Sequence, residues 1–276
     1  MKTQIYQICY SDETFAHLPR GFSALDNTDN TRPDWREYWP IRNFLLRNYL
    51  SDDVLYGFLS PKFASKTLLD HAGIQTYLSS HYTGEDVVTF SPFWDLCSVF
   101  KNIFEQGDFF HPGLAKACQQ FSDQFAAGLN TTDAITHSQN TVFCNYFLAN
   151  KKFWLEWLDL GEKLFACAEA HDSDLSALLN QTTSYGVQQL PMKIFVQERL
   201  ATMVLLANPQ FSCLAYNTFN TGPSTTPFNQ FLSESIISDS LKISHDKTKH
   251  ALYLNQFGLM RDEIISKLTL SDKAPS

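Results

Sequence analysis

Two short apolar runs that stop at Ser-Pro constrain the fold of this chain more than any other feature. The first, Val54–Leu59 (VLYGFL), is followed by Ser60-Pro61-Lys62, and the second, residues 86–90, by Ser91-Pro92. Continuous apolar runs of this length are typical of strands buried on both faces of a parallel sheet. Residues 66–80 between them have the pattern of a helix. The segment therefore predicts a parallel strand–helix–strand unit and an α/β fold.

The rest of the chain alternates between strand-like and helix-like segments. The β-prone residues 3–10 and 141–149 predict two more strands. Apolar residues at helical spacing predict helices over 35–48, 114–129, 153–170 and 191–207. We expect Asp34 to cap the first of these helices, with Glu37 completing a capping box. Loops are expected at 25–34, 104–113 and 217–226.

Charge and composition argue against several classes of partner. The net charge is −8 and no basic stripe is present, so a nucleic-acid backbone is not an expected partner. No stretch approaches 18 apolar residues, so we expect no integral membrane segment. The six cysteines are scattered without a CxxC pair, and the N-terminus has no apolar signal-peptide stretch. These features predict a cytoplasmic protein with reduced thiols.

The common enzyme motifs GxGxxG, Walker loop, HExxH and GxSxG are missing. Asp172-Ser173-Asp174 has the spacing of carboxylates that hold a metal–nucleotide complex. It lies between two predicted helices, however, and helix capping explains it better. We therefore predict no metal ligand there.

Polar residues at the end of the buried strand are the first candidate site. In parallel sheets the carboxyl ends of the strands line the ligand crevice, which places Ser60 and Lys62 there. A lysine in that position can neutralise phosphate oxygens as a point charge. An ordinary surface lysine after a turn is an equally good explanation.

A second candidate is the dense polar cluster of residues 26–42, which contains Asp26, Asn27, Asn30, Arg32, Asp34, Glu37 and Arg42. Short carboxylates and carboxamides on a loop can hydrogen-bond the base and ribose of a nucleoside. Asp and Asn also dominate turns, so turn chemistry explains any single residue of the cluster. The density of the cluster favours the binding interpretation.

A third candidate is the aromatic segment 104–113, where Glu105, Asp108 and His111 alternate with phenylalanines. Sugar sites place aromatic rings against C–H surfaces while polar groups bind the hydroxyls. A purely structural aromatic loop is the alternative.

The fourth candidate is the apolar helix that carries Lys193, Glu198 and Arg199. Ionic groups in so apolar a helix must be paired or face a cleft, because an isolated buried charge is very unfavourable. A structural ion pair is one interpretation. If the helix faces a cleft, Glu198 is the best candidate for a general base.

The order of these segments resembles a known family. A buried strand ends at Ser60-Pro61-Lys62, an aromatic-rich strand and helix follow (TVFCNYFLANKKFWLEWLDLGEKLF), and a helix bearing Glu-Arg closes the core (MKIFVQERLATMVLL). This arrangement is similar to bacterial glycosyltransferases of capsule and lipopolysaccharide loci. The resemblance spans residues 1–207 and implies a Rossmann-like nucleotide-sugar core of the GT-A type, with 208–276 as a C-terminal helical extension of the same single domain.

The resemblance also implies roles for particular residues. Glu198 would be the catalytic base, Arg199 would adjoin the leaving diphosphate, and Asn145 would end the strand on the acceptor side. The family's Asp-x-Asp metal motif is replaced here by Ser60-Pro61-Lys62. A divalent cation, Mg²⁺ or Mn²⁺, therefore remains an open cofactor, and lysine or arginine could neutralise the phosphates instead.

These features predict an inverting glycosyltransferase of surface polysaccharide biosynthesis. It would move a sugar from a nucleotide sugar, a UDP-sugar first of all, to a glycan or lipid-linked glycan. The predicted donor-binding residues are Asp26, Asn27, Arg32, Arg42, Ser60, Lys62 and Lys193. The predicted acceptor-binding residues are Asp95, Glu105, Asp108, His111 and Asn145.

Two other functions fit the same sequence. The missing Asp-x-Asp motif suggests a non-catalytic partner protein that keeps a degenerate transferase fold. A glycoside hydrolase would need two facing carboxylates, which Glu105 or Asp108 could form with Glu198.

Overall fold

The computed structural model describes residues 2–271. The strands are β1 Lys2–Cys9, β2 Ser23–Asp26, β3 Val54–Leu59, β4 Val87–Thr89, β5 Phe147–Ala149, β6 Thr182–Tyr185, β7 Gln188–Pro191 and β8 Cys213–Ala215. The helices of the first half are α1 Asp12–Ala16, α2 Tyr38–Arg47, α3 Phe63–Thr67, α4 His71–His81, α5 Trp94–Val99, α6 Ile103–Phe110 and α7 Leu114–Phe125. Those of the second half are α8 Lys151–Ala170, α9 Asp174–Asn180, α10 Met192–Gln197, α11 Leu200–Ala207, α12 Leu232–Thr248 and α13 Ala251–Ser271.

Six of the strands form one mixed sheet in the order β2-β1-β3-β5-β4-β8. All neighbours are parallel except β5, which runs antiparallel between β3 and β4. The register is fixed around Tyr6 of β1, which lies opposite Ser23 of β2 and Phe58 of β3. A short hairpin of β6 and β7 stands outside this sheet. The prediction of an α/β fold with a mixed, mostly parallel sheet flanked by helices is confirmed, and this architecture is compatible with a Rossmann-like fold.

The two apolar runs form the predicted buried strands β3 and β4, but they are not neighbours in the sheet. β5 lies between them. It is much shorter than the strand predicted over 141–149, because Cys144 and Asn145 have left-handed backbone angles, with φ of 59° and 53°. Consecutive residues of that conformation cannot continue a strand, so the chain turns before it enters the sheet.

Three local predictions were wrong. Residues 25–34 are not only a loop, since their first residues complete the edge strand β2. Residues 104–113 are mostly helix α6, which Asn102 caps by accepting hydrogen bonds from two backbone N–H groups. Asp34 caps no α-helix; it pairs with two basic side chains, and Glu37 at the start of α2 makes no side-chain cap.

Successive side chains of β3 point to opposite faces of the sheet and contribute to a hydrophobic core on each face. Tyr56 and Phe58 pack into a large aromatic core with α8, in which Trp154 contacts the Phe58 ring edge to face at 4.9 Å. Leu55 and Leu59 point to the opposite face and join a smaller core formed with α3 and α4. The sheet is therefore a layer between two sets of helices, as its uniformly apolar central strand requires.

The region after residue 207, predicted as a helical extension, contributes a strand of the main sheet as well as helices. β8 pairs in parallel with β4 at the edge of the main sheet. The hairpin of α12 and α13 packs on α5, where the fully buried Lys242 donates hydrogen bonds to the backbone carbonyls of Cys97, Phe100 and Thr136. Within residues 2–271 we find no helix that is both long enough and apolar enough to cross a lipid bilayer.

Candidate functional site

A cavity of about 800 Å³ opens at the carboxyl edge of the parallel strands. Tyr10 lines it directly after β1, and Ser60 and Lys62 line it directly after β3. Because β5 runs antiparallel, the segment before it reaches the same edge, and Cys144 forms part of the wall. The cavity is therefore built where a parallel sheet is expected to bind ligands.

Two glutamates from distant parts of the chain line this cavity, Glu37 at the start of α2 and Glu198 at the break between α10 and α11. Burial, and then the negative charge of Glu198, raise the pKa of Glu37 to about 8, although Lys66 and Arg36 oppose the shift. The Glu37 carboxyl group receives no hydrogen bond from any described residue. Glu198 accepts one from Arg199 Nη1 at 3.2 Å. The cavity thus holds a carboxyl group that keeps its proton to a higher pH than usual, beside a second carboxyl group.

Basic side chains surround these carboxyl groups. Lys62 is exposed at the rim, and its ammonium group has no hydrogen-bond partner among the described residues. Lys66 lies deeper, with its Nζ atom 3.3 Å from Cys144 Sγ. Burial lowers the pKa of Lys66, but Cys144, Glu198 and Glu37 outweigh burial and raise it overall. The charged form of Lys66 is therefore held in place inside the cavity.

Sequence reasoning did not select Lys66 or Cys144 as site residues. A signal for Lys66 was present, because it follows Lys62 by four residues and thus lies on the same face of a helix. Glu37 was predicted as a capping residue and as one member of the polar cluster, but its place in the cavity beside Glu198 depends on tertiary packing, which no local pattern encodes.

Aromatic side chains form the remaining wall, with Tyr10, Tyr185 and Phe195 in the lining. His111 lies behind this wall, where its ring stacks on Phe195 at 3.7 Å and its Nδ1 atom lies 3.1 Å from Ser184 O. Burial, together with the nearby Arg199, lowers the pKa of His111 to about 4. His111 is therefore a neutral support of the wall, and the structure does not place it in contact with the cavity as a ligand for a sugar.

Two further predicted residues lie directly behind the lining. The Arg199 guanidinium is buried and donates to Phe195 O, Gln106 Oε1 and Glu198 Oε2. Its contact with Glu198 orients that carboxylate, and a buried guanidinium with these partners does not face a leaving diphosphate. Asn145 donates to Gln197 Oε1 at 3.3 Å, and its own buried Oδ1 atom has no partner.

Two predicted donor-binding residues, Arg32 and Lys193, do not line the cavity and belong to an ion-pair network whose Asp34 does. Arg32 forms a double hydrogen bond with Asp34 and also binds Glu169 at 2.7 Å. Lys193 lies 2.8 Å from Asp34 and 3.4 Å from Glu169. Through these ion pairs, Arg32 and Lys193 link the segment that contains Asp34 to α8 and α10. This structural role corrects their assignment as donor ligands.

The other predicted donor-binding residues of the polar cluster, Arg42, Asp26 and Asn27, also have structural roles. Arg42 pairs with Glu162 of α8. Asp26 accepts from the backbone and hydroxyl groups of Thr28, which lowers the pKa of the Asp26 carboxyl. Asn27 is buried in the same turn. None of these side chains lines the cavity in the described part of the chain, so turn chemistry and ion pairing explain them.

Three predicted acceptor-binding carboxylates are likewise engaged away from the cavity. Asp95 is fully buried and accepts from the backbone and hydroxyl groups of Ser224. Glu105 pairs with Arg261 of α13. Asp108 accepts from two backbone N–H groups at the start of α7. Neither Glu105 nor Asp108 faces Glu198 across the cavity, so the carboxylate pair expected of a hydrolase does not come from these residues.

The donor set for a protein-bound metal is missing from the described residues. No group of three or more His, Cys, Asp and Glu side chains within 2–271 is positioned to hold a metal ion. The residues therefore do not fit a protein-bound divalent cation, and we derive no step through one. At Asp172-Ser173-Asp174, Ser173 caps α9 by accepting from Ser176 N.

Comparison of this chain with protein-family models, with curated proteins and with solved structures finds no match in any of the three.

Proposed function

We propose that this protein is a glycosyltransferase that moves a sugar from a nucleotide sugar, with UDP-sugars first, to a glycan acceptor of surface polysaccharide biosynthesis. The observation that carries the proposal is that Ser60, Lys62 and Glu198, from opposite ends of the sequence, line one cavity at the carboxyl edge of the sheet. The mixed, mostly parallel sheet is compatible with the GT-A type of fold that the proposal includes.

The cavity suits a nucleotide diphosphate with an attached sugar. Its volume of about 800 Å³ lies within the range of small-molecule and cofactor sites. Lys62 and Lys66 bring two positive charges to the end of β3, in a chain whose overall charge is −8. Such a local cluster can hold phosphates against the overall field of the protein.

Sugar transfer also needs a base for the acceptor hydroxyl, and we assign that role to Glu198. Its carboxylate takes the hydroxyl proton while the oxygen bonds to the anomeric carbon of the donor sugar. The bond from that carbon to the diphosphate breaks, and the diphosphate keeps the electron pair and is stabilised by Lys62 and Lys66. Direct attack of this kind inverts the configuration at the anomeric carbon.

Other residues prepare the site for this step. Arg199 fixes the orientation of the Glu198 carboxylate through its hydrogen bond. The pKa of Glu37 is raised, and the protonated carboxyl group can donate a hydrogen bond to a substrate oxygen. Tyr185 and Phe195 in the wall limit the access of water that would otherwise hydrolyse the donor.

Isothermal titration with UDP and UDP-sugars tests the donor site. We expect wild type to bind, and Lys62→Ala to bind about tenfold more weakly, because the variant loses a charge that contacts phosphate. Lys116→Ala is the matched control, since Lys116 is exposed on α7, has no described partner and lies outside the cavity. Absence of heat with every nucleotide and nucleotide sugar would contradict the proposal.

Turnover separates catalysis from binding alone. In a UDP-release assay, we expect Glu198→Gln to keep the nucleotide affinity of the wild type, whereas its turnover rate should fall by a factor of about 10²–10⁴. If Glu198→Gln leaves all measurable behaviour unchanged, the non-catalytic partner protein becomes the better description.

A further inference from the structure

A second cavity, of about 560 Å³, lies between α4 and the segment that follows β8. Tyr77 and Ser80 of α4 line one side, and Tyr216, Asn217 and Asn220 line the other. None of the residues lining it is Asp, Glu, Lys or Arg. In a chain with 29 acidic and 21 basic residues, an uncharged cavity of this size points to an uncharged ligand.

The aromatic rings of this cavity are held in fixed positions. The Tyr77 hydroxyl donates to Ala215 O at 2.8 Å, which ties α4 to β8. The Tyr77 ring stacks on His81 with centroids 4.6 Å apart and meets Tyr216 edge to face at 5.0 Å. Both tyrosines remain partly exposed. Fixed, half-exposed rings offer an apolar surface to a ligand at little entropic penalty.

Polar groups beside these rings lack partners. The side chains of Thr76, Ser80 and Asn220 make no hydrogen bond with any described residue. Asn217 uses its Oδ1 atom to accept from Phe219 N, which leaves its amide hydrogens available. Neutral hydroxyl and amide groups next to aromatic faces match the hydroxyl groups and C–H surfaces of a sugar ring.

The segment that follows β3 reaches both cavities, because Lys66 of α3 lines the first and Leu69, three residues later, lines the second. Lys66 directs its side chain into the first cavity, whereas its backbone carbonyl accepts from Gly222 N at 3.2 Å. Gly222 belongs to the same segment as Asn217 and Asn220, which line the second cavity. A chain bound in the second cavity therefore lies beside the cavity where transfer is proposed.

We propose that the second cavity binds an uncharged stretch of the acceptor glycan. This inference rests on the proposed function, because it supplies the acceptor site that the transfer reaction needs. It also replaces the predicted acceptor carboxylates Asp95, Glu105 and Asp108, which are engaged elsewhere in the fold.

The test uses maltohexaose, cellohexaose, chitohexaose and mannohexaose as neutral probes, and a hyaluronan hexasaccharide as the charged comparison. Binding is measured by saturation-transfer NMR and titration calorimetry on the full chain. Ser80→Trp fills the cavity from α4, whereas Ser79→Trp is the matched control on the adjacent exposed residue outside the lining. Asn220→Ala removes an unpartnered amide and leaves the fold intact, which guards against misfolding of the tryptophan variant.

We expect wild type and Ser79→Trp to bind at least one neutral hexasaccharide more tightly than hyaluronan. Ser80→Trp and Asn220→Ala should bind it about tenfold more weakly or worse. Failure of all four neutral probes to bind, or equal binding by wild type and both cavity variants, would overturn the inference. UDP titration of the wild type separates the two proposals. A wild type that binds UDP but none of the neutral hexasaccharides defeats only this inference, and one that binds a neutral hexasaccharide but not UDP defeats only the donor site.

Discussion

Replacing Glu37 with glutamine is expected to stabilise the protein in alkaline solution and to leave its stability unchanged in acid. Burial and the charge of Glu198 raise the pKa of Glu37 from 4.5 to about 8. The folded protein therefore holds a proton that the unfolded chain releases near pH 4.5. The stability associated with this proton is complete below pH 4.5 and is lost as the pH rises to about 8. Glutamine stays neutral throughout and escapes this loss.

The size of the effect follows from the two pKa values of Glu37. Each pH unit between 4.5 and about 8 lowers the free energy of unfolding by at most about 1.36 kcal/mol, which sets a ceiling of about 5 kcal/mol. Glu37 lines an open cavity and is only half-buried, so water and the nearby Lys66 screen the ionised form. We therefore expect a gain of ~2 kcal/mol for Glu37→Gln above the folded-state pKa.

Urea unfolding at about pH 4 and about pH 9 measures this gain. The control is Glu156→Gln, because Glu156 is exposed on α8 and has no described partner. Wild type and both variants should be nearly equal in acid, and only Glu37→Gln should be more stable in alkali. A constant difference between wild type and Glu37→Gln at both pH values would refute the burial and charge coupling on which the argument depends.

Three further outcomes are expected. Lys242→Met should lower the free energy of unfolding by about 3 kcal/mol, because three buried carbonyl groups lose their donor, and an unchanged urea midpoint would contradict this. Gly107→Ala should destabilise by about 2 kcal/mol in the same assay, since a Cβ atom there would overlap Leu114 and lie 2.8 Å from Arg199. A neutral result would mean that both side chains move aside freely. The pKa of His111 is lowered from 6.5 to about 4, so its contribution to the free energy of unfolding is complete above pH 6.5 and is lost as the pH falls through about 4. His111→Phe should therefore make stability less dependent on pH in that range. An unaltered loss of stability in acid would contradict the neutral, buried state of His111.

Local sequence patterns were sufficient for the elements that depend on burial of a contiguous segment. The apolar run of β3 and the helical repeat of α8 were predicted almost at their observed bounds. Ser60 and Lys62 could be placed at the cavity for the same reason, since a residue that directly follows a buried parallel strand must emerge at the carboxyl edge of the sheet.

The other half of the site was decided by tertiary packing. The sequence could not predict that Arg32 and Lys193 would both form ion pairs with Asp34 and Glu169. Nor could it predict that the Glu37 carboxyl group would face the cavity without a hydrogen-bond partner. Which ion pairs form depends on which charged side chains tertiary packing brings within a few ångströms of each other. The energy of a Coulomb interaction at that distance depends steeply on burial.

The sequence by itself determined a layered α/β fold and the sheet edge at which the cavity opens, because the hydrophobic pattern along a strand is local information. Only the tertiary structure decided which charged groups meet there, that β5 enters antiparallel between β3 and β4, and that an uncharged aromatic cavity lies next to the charged one. Each of these features joins residues more than fifty positions apart in the chain, and such contacts arise from packing between elements and not from any pattern within one of them.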